Sequence, residues 1–258
     1  MRIVIKVGTS TLAHPSGLLN IRRVEELCKA ISDLKNAGNE VILVSSGAIG
    51  MGIGKLSLGE KPTDIPTKQA AAAVGQCELM YVYDKLFSEY NHTVAQILIT
   101  KADTEHTERR ANFENTMYRL LELGALPIVN ENDSVATDEL VIGDNDTLGA
   151  IVATSVEADL LILLSDINGL YTADPHRDHT AKLLRRVEEI TPEIESMTGG
   201  AGSRLGTGGM KTKVGAAKIA MNAGIDMVIA NGSDPAVLYD IIAGKEVGTR
   251  FIAGGKKS

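Results

Sequence analysis

A chain of 258 residues, 44% hydrophobic and 23% charged, is long enough for one large domain and has the composition of a globular protein. Its formal net charge of -7, the absence of Trp and the presence of only three Phe argue against a nucleic-acid-binding surface.

Short β-branched segments alternate with amphipathic segments along the chain. The predicted strands are 2–8, 40–47, 94–100, 126–130, 160–166, 225–232 and 249–253. The predicted helices are 20–38, 67–90, 107–123, 145–157, 211–223 and 235–243. Strands separated by helices predict an α/β fold with a parallel sheet covered on both faces. We expect loops or small hairpins in the polar segments 55–66, 101–109, 131–144 and 170–209.

The first predicted helix shows the pattern most clearly. Asn20 is a candidate N-cap, and Gly38 is a candidate stop. The helical period places five apolar side chains on one face, namely Ile21, Val24, Leu27, Ile31 and Leu34. We therefore expect this face to pack on the sheet.

The two cysteines and the absence of hydrophobic targeting segments bear on the cellular compartment. Cys28 and Cys77 fall in predicted helices and form neither a CxxC pair nor a metal-binding spacing, so we expect buried free thiols. No basic and apolar leader opens the chain, and no apolar run approaches the roughly 18 residues of a membrane span. We expect a cytoplasmic protein that binds neither nucleic acid nor a membrane.

The candidate site lies after the predicted strands, because open α/β sheets bind ligands beyond the carboxyl ends of their strands. A lysine in a strand is usually a solvent-reaching edge residue. Lys6, however, stands among apolar neighbours typical of a central strand, where an unpaired lysine is costly, and this favours a function. Ser46 follows the second strand, where small residues either form a simple turn or let a phosphate or carboxylate approach the backbone N–H groups.

Two acidic segments follow later strands. "GDND" (143–146) is either a helix cap or part of a site beside the lysine. "NENDSVATDE" (130–139) suggests calcium but lacks the ligand spacing of an EF-hand, so a calcium site is not favoured. The five histidines show no metal-binding spacing.

The glycine-rich segment "GTGGMKTK" (206–213) has the composition, but not the residue order, of a Walker A loop. No dinucleotide fingerprint follows the first strand, and no G-x-S-x-G elbow is present. Glycines that expose backbone N–H groups, together with lysines, suit phosphoryl transfer, in which positioning and charge neutralisation supply most of the catalysis. The segment supplies two lysines, Lys211 and Lys213, of which we expect Lys211 to be solvated.

Six segments together resemble the glutamate 5-kinases of the amino acid kinase family. They occur in the family's order and span nearly the whole chain: "IVIKVGTS", "VSSGAIGMG", "IVNENDSVAT", "IGDNDTLGA", "LLSDINGLYTADP" and "GTGGMKTK". The resemblance implies ATP-dependent phosphorylation of the side-chain carboxylate of L-glutamate for proline synthesis. It also implies a three-layer αβα sandwich around a mainly parallel sheet.

The resemblance also implies roles for single residues. Lys6 and Lys213 would contact the transferring phosphoryl group as catalytic residues, and Asp146 would hold the two lysines in position. Glutamate would be bound by Ser46, Asp133 and Asn145. The nucleotide would be held by Lys6, Ser165, Asp166, Thr207, Gly208, Gly209, Met210, Lys211, Thr212 and Lys213. Mg²⁺ would be bound mainly by the phosphates of ATP, with no protein metal site.

Further expectations come from the same resemblance. Residues 1–258 would form a single amino acid kinase domain without the C-terminal PUA domain that many relatives carry, and Ser165 stands where many members have Thr. We expect a homo-oligomer that proline inhibits. Two alternatives stay open: a family kinase for N-acetylglutamate, aspartate, carbamate or a nucleotide, and a non-catalytic metabolite sensor. Two phosphoryl-facing lysines argue against the sensor.

Overall fold

The computed structural model describes residues 1–14, 18–135, 144–175, 178–197 and 209–254, which contain one eight-stranded sheet. The strands are β1 (Arg2–Val7), β2 (Glu40–Val44), β3 (Val94–Ile99), β4 (Leu126–Glu131), β5 (Leu160–Ser165), β6 (Arg186–Val187), β7 (Asp226–Asn231) and β8 (Thr249–Phe251). Their order across the sheet is β3-β4-β2-β1-β5-β7-β8-β6. Neighbouring strands are parallel except β7 and β8, which are antiparallel. The prediction of a mainly parallel sheet is confirmed.

Helices connect most of these strands. They are α1 (Thr9–Leu12), α2 (Ile21–Asn36), α3 (Ala48–Lys55), α4 (Ile65–Ser88), α5 (Lys101–Glu105), α6 (Thr107–Glu122), α7 (Asn145–Ser155), α8 (Pro192–Ser196), α9 (Met210–Asn222) and α10 (Val237–Ile242). All six predicted helices are present. The prediction of loops or hairpins was wrong for α5 and α8, which are short helices inside polar segments, and β6 also lies in such a segment.

Helix α3 was missed because its glycines suggest a loop. In the structure they allow close packing of two helices. A methyl group added to Gly52 would overlap the carbonyl group of Ala71, and one added to Gly75 would overlap the carbonyl group of Ala48. Glycine is therefore required on both sides of the contact between α3 and α4.

The boundaries of α2 follow the predicted signals. Asn20 caps the helix by accepting a hydrogen bond from the Arg23 N–H, and Gly38 adopts a φ of 88° just beyond the helix. Four of the five predicted apolar residues are buried, whereas Ile21 is exposed. Ile21 is the first residue of the helix.

Helices cover both faces of the sheet and form two hydrophobic cores. Side chains of successive strand residues point to opposite faces. On β1, Ile3 and Ile5 therefore pack in the core formed with α2, α4 and α10, whereas Val4 packs in the core formed with α6, α7 and α9. This three-layer arrangement confirms the predicted αβα sandwich. Lys6 shares the face of Val4, which directs it towards α7 and α9.

The two cysteines differ in burial. Cys28 of α2 is buried, and burial raises the pKa of its thiol. Cys77 of α4 is exposed, so the prediction of a buried thiol was wrong there. The adjacent Gln76 occupies the inward side of that helix and leaves position 77 facing outward. Among the described residues, no helix combines the length and the apolar character that crossing a membrane requires.

Candidate active site

The predicted site residues that the structure describes lie at one edge of the sheet, where β1, β2, β4 and β5 have their carboxyl ends. Lys6 stands next to Val44 of β2 on one side and Leu163 of β5 on the other, so it belongs to a central strand as its neighbours predict. The chain continues from β1 to β2 on one side, while β5 lies on the other. Such a switch point is where open α/β sheets bind ligands.

A charged cluster, formed by Lys6, Asp146, Thr212 and Lys213, lies at this point. The Lys6 Nζ donates to Asp146 Oδ1 at 2.7 Å, and the Lys213 Nζ donates to Asp146 Oδ2 at 3.0 Å. The Thr212 Oγ1 lies 2.9 Å from Asp146 Oδ2 and 2.8 Å from the carbonyl oxygen of Gly209, so its single proton is shared between two acceptors. The structure thus brings three residues, from two distant parts of the chain, onto one carboxylate.

The charges of this cluster are almost completely buried. Lys6 is 7% exposed, Lys213 is 4% exposed and Asp146 is 1% exposed. Burial alone would raise the pKa of Asp146, but the attraction of Lys6 and Lys213 and the hydrogen bonds from both lysines lower it below its usual value. Two ammonium groups meet one carboxylate here, and ammonium groups are donors suited to phosphate oxygens.

Local sequence explains how Asp146 reaches Lys6. Asp144 caps α7 by accepting from the Thr147 N–H at 2.7 Å, which places Asp146 in the first turn. One turn later, a methyl group on Gly149 would lie only 3.3 Å from Lys6 Cβ. Gly149 therefore lets α7 lie directly over the stem of Lys6.

An amide network, formed by Gln76, Asn130, Asn145 and Ser46, lies beside the charged cluster. The Asn145 Nδ2 lies 2.7 Å from Ser46 Oγ, 2.9 Å from the carbonyl oxygen of Ser45 and 3.2 Å from Asn130 Oδ1. The Asn130 Nδ2 donates to Gln76 Oε1 at 2.9 Å. Two of the three predicted glutamate ligands, Ser46 and Asn145, are thus in direct contact.

Asp133, the third predicted glutamate ligand, lies two residues beyond β4. Its side chain is partly buried, and this burial raises the pKa of its carboxyl group. Across residues 1–14, 18–135, 144–175, 178–197 and 209–254 it forms no ion pair. Its charge would therefore be better stabilised by a cation from a ligand.

The predicted nucleotide ligands begin at the end of β5. Ser165 is buried and donates to Asp166 Oδ1 at 3.1 Å, while Asp166 is exposed. Gly232, which follows β7, donates its N–H to the carbonyl oxygen of Ser165 at 2.7 Å. This bond ties the ends of β5 and β7 together beside the charged cluster.

The glycine-rich segment leads into α9. Gly209 is the N-cap of this helix, and Met210 is its first residue. Lys211 is exposed, as predicted, and Lys213 points inward to Asp146. Two predicted nucleotide ligands, Thr207 and Gly208, lie outside the described residues.

Comparison with known sequences shows the family of this chain. The model of the "Amino acid kinase family" matches residues 1–231. The chain belongs to the amino acid kinase family. Within it, a glutamate 5-kinase from Clostridium perfringens is 56% identical over 256 residues, which are 98% of this chain and 95% of that relative. One from Carboxydothermus hydrogenoformans is 54% identical over 257 residues, which are 99% of this chain and 69% of that relative.

Solved structures share the fold of this amino acid kinase family member at low sequence identity. A UMP kinase from Bacillus anthracis has a TM-score of 0.67 at 17% identity, with 98% of this chain and 96% of the other covered. The isopentenyl phosphate kinase of T. acidophilum has a TM-score of 0.68 at 17% identity, with 97% and 100% covered. These likenesses bear on the fold alone.

Sequence reasoning assigned no role to three residues of the site. Gln76 has no motif around it, because a single glutamine inside a helix predicts neither burial nor a partner. Asn130 stands at the end of β4 inside the quoted segment "IVNENDSVAT", and this position was its available signal. Gly149, in "IGDNDTLGA", could be interpreted only after α7 was placed on β1.

Proposed function

We propose that this protein transfers the γ-phosphoryl group of ATP to the side-chain carboxylate of L-glutamate, forming L-glutamyl 5-phosphate in the first step of proline biosynthesis. The observation that carries the proposal is the buried cluster of Lys6, Asp146 and Lys213 at the switch point of the sheet. Its support in sequence is the 56% identity to a glutamate 5-kinase over nearly the whole chain.

The chemistry explains the choice of residues. A glutamate side chain has an ordinary pKa of about 4.3, so at neutral pH it is already a nucleophile and needs no general base. The obstacle is repulsion between this carboxylate and the triphosphate. The ammonium groups of Lys6 and Lys213 would face the transferring phosphoryl group and stabilise its developing charge.

Asp146 would act as a positioning residue. Two ammonium groups at close range repel each other, and a carboxylate that accepts from both fixes their separation and direction. The remaining protons of Lys6 would then be available for phosphate oxygens.

The acceptor glutamate would be recognised beside this cluster. Ser46 and Asn145 present polar side-chain atoms at the ends of β2 and at the start of α7. Asp133 is suited to the α-ammonium of the substrate, because a cation there would compensate its buried carboxylate. Acceptor and cluster would thus meet at one edge of the sheet.

The nucleotide would lie along Ser165, Asp166 and the segment 207–213. Mg²⁺ would enter as the complex with ATP, where it neutralises phosphate charge. Two lysines would attract such an anionic complex, whereas they would repel a free cation. We further propose, from the family resemblance, a single kinase domain in a cytoplasmic homo-oligomer that proline inhibits.

The experiment is an ATP-consumption assay in which hydroxylamine traps the acyl phosphate, run on L-glutamate, N-acetyl-L-glutamate, L-aspartate and carbamate. The assay is repeated without Mg²⁺. We expect a hydroxamate with L-glutamate and Mg²⁺. A hydroxamate only with another acid would reassign the substrate within the family, and none with any acid would support the metabolite sensor.

A further inference from the structure

The hydrogen-bond polarity of the amide network is fixed by two backbone groups. The N–H of Glu131 lies 2.9 Å from the side chain of Asn130. A backbone N–H can only donate, so the atom of Asn130 that faces it is the oxygen Oδ1. The nitrogen of the same amide must then face Gln76, which presents its oxygen Oε1 at 2.9 Å.

The second fixed group is the carbonyl of Ser45. A carbonyl can only accept, so the atom of Asn145 that lies 2.9 Å from it is the nitrogen Nδ2. The same nitrogen lies 3.2 Å from Asn130 Oδ1, which agrees with the assignment reached from Glu131. Both ends of the network therefore require one orientation of each amide, and Asn145 Oδ1 faces away from these acceptors.

Gln76 joins this network from the opposite layer of the sandwich. Asn130 shares the strand face of Ile128, which packs in the core with α4, whereas Asn145 begins α7 on the other face. Gln76 of α4 is 7% exposed, and it contacts Asn130 near the carboxyl end of β4. An amide on α4 thus supports an amide that faces the site.

Only half of the Gln76 amide is used by the described residues. Its Nε2 is buried and has no hydrogen-bond partner among them. A buried donor without a partner is unfavourable, and an apolar side chain would avoid this penalty. The oxygen of Gln76, which meets Asn130, is the part of the side chain with an identifiable role.

We propose that Gln76 is a positioning residue for the acceptor substrate. By accepting from Asn130, it fixes the Asn130 amide, which in turn orients Asn145 so that Asn145 Oδ1 is presented to the α-ammonium of glutamate. This inference rests on the proposed function. It assigns a specificity role to a residue that does not touch the substrate.

The test compares Gln76→Met, which removes the acceptor oxygen, with Gln76→Glu, which keeps an acceptor oxygen in either protonation state. Gln96→Met makes the same change as the first variant at an exposed position of β3 and serves as the control. For each variant we would measure the KM of L-glutamate, the KM of ATP and the inhibition constant of glutarate. Glutarate has both carboxylates of glutamate but lacks its amino group.

Gln76→Met is expected to raise the glutamate KM roughly tenfold, the effect of weakening one charge-assisted hydrogen bond. The KM of ATP and the inhibition constant of glutarate should stay within about twofold, because neither involves the α-ammonium. Gln76→Glu should restore most of the glutamate affinity. Gln96→Met should behave as wild type.

Several results would overturn the inference. An unchanged glutamate KM in Gln76→Met would show that the oxygen is dispensable. An equal rise for glutamate and glutarate, or a rise in the KM of ATP, would show general damage to the site. Loss of folding in Gln76→Met together with a tenfold higher glutamate KM in Gln76→Glu would do the same. Wild-type protein without glutamate phosphorylation would instead refute the proposed function, and this inference with it.

Discussion

The charged cluster and the amide network lie side by side at one edge of the sheet, are both largely buried, and are built on different physical principles. In the cluster, two lysines form ion pairs with one aspartate, Asp146, which is only 1% exposed. The network contains no ionised side chain and fixes its amides through the backbone of Glu131 and Ser45. The cluster concentrates charged groups, whereas the network fixes the orientation of neutral amides.

The difference reflects what each region would bind. A transferring phosphoryl group carries charge that must be neutralised, and buried ammonium groups do so strongly where water is excluded. An amino acid must be held in one orientation, which neutral amides of fixed polarity achieve without adding repulsion. Asp133 is the exception, an acid on the acceptor side whose pKa is raised by burial.

The largest effect is expected from Lys213→Ala, which breaks the charged cluster. Loss of one transition-state donor should lower kcat by roughly 10²- to 10³-fold. Steady-state kinetics at saturating ATP and glutamate would measure it. Lys218→Ala removes an exposed lysine from the same helix, where it pairs with Glu195, and is the control. Wild-type turnover in Lys213→Ala would refute the role of this lysine.

Asp133→Asn removes the one acidic group assigned to the acceptor side. We expect it to weaken substrate binding and to increase stability. Loss of a charged acceptor should raise the glutamate KM roughly 10- to 100-fold. The ligand-free variant should melt about 2–4 °C higher than wild type at pH 7, because asparagine needs no buried charge. Thermal unfolding without substrate and glutamate kinetics would measure the two effects. Asp84→Asn changes an exposed aspartate of α4 and should do neither.

The stability effect of Asp133 should depend on pH. Its folded pKa is raised above the unfolded value of about 3.9, so folding favours the protonated form. That contribution is fully present below about pH 4 and is lost as the pH rises through the folded pKa. The melting temperatures of wild type and Asp133→Asn should therefore converge near pH 4 and separate towards pH 7. A constant difference would contradict the assignment to this carboxyl group.

The smallest effect is expected from Thr212→Val, which removes the neutral member of the charged cluster. Its proton is shared between Asp146 and Gly209, so its loss should lower kcat only about fivefold. Thr212→Ser should restore turnover because it keeps the hydroxyl group. A rise in the KM of ATP without a change in kcat would place Thr212 at the nucleotide, as the family resemblance implies.

Much of the fold and part of the site could be predicted from the sequence. Alternating periods predicted six of the helices and the mainly parallel sheet, and apolar neighbours placed Lys6 in a central strand. Helix α3 was not predicted, because the sequence does not distinguish glycines that form a loop from glycines that allow two helices to pack closely. The exposure of Ile21 and Cys77 was likewise not fixed by helical period alone.

The sequence by itself determined which chemical groups are present and at which strand ends they stand. Tertiary structure decided which of them meet: Lys6 and Asp146 are 140 residues apart, and Asp146 and Lys213 are 67 apart. It also decided that Gln76 lies behind Asn130, a contact that joins α4 to β4. Local patterns report the period and chemistry of one segment. The partners of a buried polar group depend on how separate segments pack, because burial makes an unpaired donor or charge costly.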